Sequence, residues 1–182
     1  MKHKQLKFLL LVFLLSQVAF YTFAPLYALY ASNLGLTPQK LSFIWSGYSL
    51  MTAFFILLMG KLENKRKKGR MIFLGYIIYA LGSLTFLAVT NEVTLFLALS
   101  INSLGAGVTF PAYKTMFAKN ESKGKESEQW GWLDAGNMLA AAVGAAIGGV
   151  IIGSFGFNGL FISMAGIQFV AALIAFKKFY LL

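Results

Sequence analysis

The sequence predicts an all-α membrane protein with six transmembrane helices and both termini in the cytoplasm. Three observations lead there. Of 182 residues, 58% are hydrophobic and only 12% charged, with a mean hydropathy of +0.71, whereas soluble domains carry roughly a quarter charged residues. Six stretches approach or exceed the ~20 apolar residues that a spanning helix needs: 8–31, 41–60, 71–90, 93–116, 132–152 and 160–176. Finally, 15 of the 16 Lys and Arg fall at the termini and in alternate connections, leaving only Lys40 on the other side. Such asymmetry marks the cytoplasmic face.

Each element has its own justification. The first stretch follows Lys2, Lys4 and Lys7, as the core of a secretory leader would. Its apolar run continues past Phe20 without a small-x-small cleavage site, and Ala24 is followed by Pro25, so an uncleaved helix is expected. A turn at 33–38 leads to the second stretch, and the basic connection 61–70 to the third. Asn91-Glu92 makes a tight turn before the fourth, and the polar connection 117–131 precedes the fifth. The glycine- and phenylalanine-rich run 153–159 is expected to be the loop before the sixth. Strands are not expected, because barrel strands are about ten residues long and alternate in polarity. Almost nothing remains outside the helices, so 1–182 is expected to be a single domain.

Composition also excludes chemistry. The absence of Cys removes disulfides, thiolate metal sites and cysteine nucleophiles. One His and six acidic residues form no metal-ligand spacing, no Ser/His/Asp set and no phosphate-binding loop. No enzyme activity, metal or cofactor is expected. The net charge of +10 would point to nucleic acid in a soluble chain. Here it reports sidedness, and the expected environment is the lipid bilayer.

Three segments carry motifs. The connection after the second helix reads Gly60-Lys61-Leu62-Glu63-Asn64-Lys65-Arg66-Lys67-Lys68-Gly69-Arg70. It resembles the loop between helices 2 and 3 of the major facilitator superfamily, Gly-x-Leu-x-Asp-Arg-x-Gly-Arg-Arg. Gly60 and Leu62 match, Asn64 takes the Asp place and Lys65 the first Arg place, Lys67 replaces the second Gly, and Arg70 closes the run. In the fifth helix Gly131, Ala140, Gly144-Ala145 and Gly148-Gly149 resemble the family motif associated with antiporters, with Ala at the second Gly and at the Pro. In the fourth, Gly105, Gly107 and Pro111 resemble the helix-4 pattern, but Ile101 stands in its Arg place and Leu104 in its Gln place.

The resemblance covers essentially the whole chain. It implies one six-helix half of the family fold, built from two inverted three-helix repeats. It further implies that Gly60, Leu62, Asn64, Lys65 and Arg70 form a cytoplasmic gating loop. Gly105, Gly107, Pro111, Gly131, Gly144, Gly148 and Gly149 are candidate helix-packing positions, since small residues let helices approach closely. Polar side chains at membrane depth usually face a bundle interior or a wet cavity. Gln17 and Tyr21 in the first helix, Asn102 in the fourth, and Asp134 and Asn137 in the fifth are therefore candidate cavity residues; Trp45, Tyr48 and Thr52 are further polar positions in the second helix. The function expected is transport of a small organic solute by alternating access, as a homodimer of halves, in the plasma (inner) membrane of a prokaryote. A membrane scaffold without transport, and a piece of a twelve-helix transporter, remain the alternatives.

Overall fold

The apolar stretches fold into five long helices, seen in a computed structural model that describes residues 2–63 and 67–180. Asn64 and Lys65 of the expected gating loop lie outside the described residues. Helix α1 spans Lys2–Phe23 and passes through a 3-10 turn at Ala24–Leu26 into the short α2, Tyr27–Asn33. Pro25 explains the interruption, because it has no backbone N–H and its ring crowds the preceding turn. Helix α3 covers Pro38–Glu63, and α4 covers Lys68–Thr85 before a 3-10 turn at Phe86–Ala88. Helix α5 covers Glu92–Asn120. Its start is sealed by a reciprocal cap: Asn91 Oδ1 accepts from the Val93 and Thr94 amides at 3.0 Å, and Thr94 Oγ1 accepts from the Asn91 amide at 3.1 Å.

The last element, α6, runs over Glu126–Phe179, 54 residues. Here the structure corrects an expectation. The run 153–159 is not a loop; it stays helical on both sides of one residue, Gly156, at φ 64° and ψ −169°. Two contacts show what that residue does. Gly144 packs on Val18 and Gln168 bonds Ser16, neighbouring points on α1. In a straight helix Gly144 and Gln168 would be roughly 36 Å apart at 1.5 Å per residue, so the chain reverses at Gly156 into two arms. The helices also extend beyond the apolar windows, because hydropathy marks the membrane-compatible part of a helix and not its hydrogen-bonded ends.

Contacts fix the relative directions. Leu14, Val18 and Thr22 of α1 meet Gly136, Gly144 and Gly148 in that order, so α1 and the first arm run parallel. Gly47, Phe55 and Gly60 of α3 meet Phe96, Gly107 and Pro111, so α3 and α5 are parallel too. Gly75 and Gly82 of α4 meet Thr109 and Asn102 in reverse order, and Gly69 meets Phe179 at the end of the second arm. Direction therefore alternates along the chain, which gathers Lys7, Lys61, Arg70, Lys114 and Lys178 at one end and Lys40 at the other.

Two buried clusters fill the bundle. One joins α1, α4, α5 and the second arm through Leu9, Ile72, Tyr76, Tyr113, Phe117 and Phe179. The other, at the Lys40 end, stacks Phe23, Tyr30, Phe86 and Phe161 with ring centroids 5.1–6.4 Å apart. Tyr30 also donates from its hydroxyl to the Phe86 carbonyl at 3.2 Å. At the same end Lys40 Nζ meets Glu92 Oε2 at 2.7 Å, linking the starts of α3 and α5, with both side chains about half exposed. Exposed pairs contribute at most about 1 kcal/mol. Lys40→Ala should thus leave the thermal unfolding temperature in detergent within about 2–4 °C of the unaltered chain, and added salt should erase the difference.

Candidate functional site

Five helical segments and two 3-10 turns border a cavity of about 190 Å³ near the middle of the bundle. Each wall is a helix face, because its residues recur at spacings of three or four. Ser16, Gln17, Phe20 and Phe23 come from α1, and Trp45 and Tyr48 from α3. Tyr79 and Ser83 come from α4, Leu99, Asn102 and Phe110 from α5, and Met164 and Gln168 from the second arm. Ala24 and Phe86, from the two 3-10 turns, close the Lys40 end. Among the described residues, no Asp, Glu, Lys, Arg or His lines it.

The lining is aromatic with a few amides. Trp45 lies between Tyr27 and Tyr48, at centroid distances of 5.0 and 5.3 Å. The amide groups are held by their N–H ends. Gln17 Nε2 donates to Asn137 Oδ1 on the first arm. Asn102 Nδ2 donates to the Ala98 carbonyl at 2.9 Å, and Gln168 Nε2 to the Ser16 carbonyl at 3.3 Å. Ser83 Oγ donates to the Tyr79 carbonyl at 2.9 Å. Gln168 is 3% exposed, and its Oε1 has no partner among the described residues. A buried acceptor left this way costs about 1–3 kcal/mol.

The other residues singled out in the sequence fall in several places. Gln17 and Asn102 are in the cavity wall, with Asn137 behind Gln17. Tyr21 is half-buried with its Cβ against Gly144, and is not in the wall. Asp134 is exposed on the first arm and also outside it. Thr52 bonds Ser103 Oγ at 3.0 Å, tying α3 to α5. Gly60 faces Pro111, where an added methyl would sit at 4.0 Å, and Leu62 is exposed at the end of α3. Arg70 lies over the Tyr180 ring at 5.0 Å.

Among the glycines, a methyl on Gly105 would crowd the Tyr79 ring at 3.1 Å, and one on Gly107 would overlap Phe55. On Gly144 it would meet the Val18 carbonyl oxygen at 2.7 Å, and on Gly148 it would overlap that of Thr22. Gly131 and Gly149 differ. Among the described residues nothing lies within 4 Å of the position a side chain would take, so they pack against none of the described helices, contrary to the sequence expectation. Their helix turns them about 140° away from the buried face, toward the outside.

Ser16, Ser83 and Gln168 were missed in the sequence. A signal existed for Gln168, the one amide in the last apolar stretch, 160–176.

Comparison with known proteins agrees with this architecture. The family model described as Major Facilitator Superfamily matches residues 9–181. The riboflavin transporter RibZ of Clostridioides difficile (strain 630) is 27% identical over 152 residues, which are 81% of this chain and 32% of that protein. The crystal structure of the POT family transporter PepTSo superposes with a TM-score of 0.77 at 15% identity, covering 96% of this chain and 37% of that one. The chain thus spans about a third of the length of these relatives. With a family match over nearly its full length and a fold shared with a solved transporter, this multi-pass integral membrane chain belongs to the Major Facilitator Superfamily.

Proposed function

We propose that the chain is one six-helix half of a transporter that moves a small organic solute of low charge by alternating access. A second copy supplies the other half. The observation that carries the reading is the uncharged cavity bordered by five helical segments and two 3-10 turns, where a solute can shed water without meeting a fixed charge. In this reading the two arms of α6 are separate spans, and the basic end faces the cytoplasm of a prokaryotic cell. The pairing of segments (first with fifth, second with fourth, third with sixth) supports two inverted three-helix repeats. The basic loop around Gly60, Asn64, Lys65 and Arg70 is the cytoplasmic latch.

The first arm supports the second half. Gly131, Ala135, Ala142, Ala146, Gly149 and Gly153 are all exposed and share one face, opposite the face that packs on α1. The large exposed side chains Leu139, Val143, Ile147 and Val150 occupy a different face. Lipid suits the large residues. The small face suits another helix, because it permits close backbone approach.

Saturable flux of a neutral solute into vesicles carrying the purified chain is the expected result. Its absence for every solute in a diverse panel overturns transport and leaves a scaffold role. Gly149→Leu fills the small face without touching the chain's own packing. It should abolish dimers in native mass spectrometry from lipid, and flux with them, at unchanged unfolding temperature. A dimer that survives this substitution overturns the small face as its seam, and a strictly monomeric unaltered chain that transports overturns the homodimer.

A further inference from the structure

The cavity wall specifies more than a small solute. Its three amides, on Gln17, Asn102 and Gln168, spend N–H groups on protein acceptors. Each keeps its carbonyl oxygen and one further N–H. The buried, unpartnered Gln168 Oε1 is the clearest case, since a group 3% exposed in the cavity wall cannot recover its lost hydrogen bond from bulk water. The rest of the wall includes the rings of Trp45, Tyr48, Tyr79 and Phe86.

Rings stack on flat partners, and the carbonyl oxygens ask for N–H donors on the partner's edge. Size bounds the partner. An apolar cavity of about 150 Å³ accepts benzene, so about 190 Å³ suits a fused bicyclic ring better than a sugar-bearing nucleoside. Charge bounds it too. No carboxylate among the described residues lines the wall, and a buried cation without a counter-ion is strongly disfavoured. Among the described residues no Lys, Arg or His lines the wall to pair with an anion either.

We infer that the cavity binds a neutral, planar nitrogen heterocycle of about two fused rings, whose imide or ring N–H donates to Gln168 Oε1 while its faces lie against the aromatic wall. This rests on the transport reading, whose solute it identifies by class. The edge chemistry is that of a pteridine-dione, and it is shared by the ring of riboflavin, for which a relative of the chain is named. Riboflavin's third ring and sugar-alcohol chain exceed the cavity in this conformation, so the bicyclic ring should bind more tightly.

Lumazine, a fluorescent bicyclic pteridine-dione, and its 1,3-dimethyl derivative make the test, added to the full chain in lipid nanodiscs. The two share a stacking face, and only lumazine keeps the ring N–H groups. Lumazine is expected to bind, with quenched fluorescence, at least tenfold more tightly than dimethyllumazine. Gln168→Leu should weaken lumazine about tenfold and leave dimethyllumazine unchanged, so that the two converge. Asn102→Leu, on a different helix, provides a second variant should Gln168→Leu fail to fold, and should narrow the same gap.

Equal binding of the two ligands to the unaltered chain overturns the inference. So does no lumazine binding at millimolar concentration, or preferential binding of the cation tetraphenylphosphonium. The two readings fail separately. Flux of another solute without lumazine binding rejects the ligand class and keeps transport; lumazine binding without any flux keeps the site and rejects transport.

Discussion

Gly148→Ala should cost this chain more than any other single methyl group on the first arm. The added carbon would overlap the Thr22 carbonyl oxygen, and one turn earlier Gly144 sits under the Val18 carbonyl in the same way. Both partners are backbone, so no rotamer change can relieve the overlap. The two parallel helices must separate along the seam. Overpacking of this kind costs about 1–3 kcal/mol, and the rigid partner favours the upper end. At about 2–4 °C per kcal/mol for a chain of this length, the unfolding temperature in detergent should fall by roughly 5–10 °C. Gly149→Ala is the internal control. It adds the same methyl to the next residue, where nothing lies within 4 Å, and helix propensity alone predicts a small stabilisation. Equal losses in the two variants would show that the seam is not close-packed.

The second large effect is expected at Gly156, where the constraint is conformational. Its φ of 64° with ψ of −169° lies in a region open essentially to glycine alone, and no atom lies within 4 Å of where a side chain would project. Gly156→Ala therefore meets no clash, and its whole cost is the backbone strain, about 1–3 kcal/mol. The reversal between the two arms should loosen. Cross-linking between cysteines at Ser16 and Gln168, clean in a chain without native Cys, should slow severalfold. Gly166→Ala, an open helical position on the second arm, should be neutral or stabilising by up to about 1 kcal/mol. An unaltered cross-linking rate and unfolding temperature in Gly156→Ala would mean that the turn does not depend on that backbone conformation.

How much of this was legible beforehand depended on the kind of signal each residue sends. Long apolar runs announce helices because the bilayer leaves the backbone few alternatives. The seam at Gly144 and Gly148 was visible as small residues at a four-residue spacing. Gly131 and Gly149 sent the same signal from another face, and residue type alone does not say which face meets which partner. The turn at Gly156 was blurred by its neighbours. Gly153 and Gly159 are equally glycine, yet remain helical, and only the backbone torsions single out the residue that reverses the chain. Gln17 and Asn102 stood out as polar groups at membrane depth and do line the cavity. Tyr21 and Asp134 stood out for the same reason and do not, since a helix face can be read from spacing but its partner cannot. Gln168 stood out locally as the one amide in its stretch, but its contact with Ser16, 152 residues away, leaves no trace in local pattern.

The two 3-10 turns give the cavity an uneven wall. Ala24 and Phe86 border it from segments where the regular helical ladder is broken, in one case beside Pro25. A helix resists bending through its successive i to i−4 bonds, and it yields where one is missing. Toward the basic end α1 and α4 continue as uninterrupted helix, whereas Pro111 interrupts the ladder of α5. In α1 and α4, mechanical compliance is thus concentrated at the Lys40 end. A given thermal force displaces these two walls further on that side of the cavity, so α1 and α4 form a hinged rim and not a uniformly elastic shell.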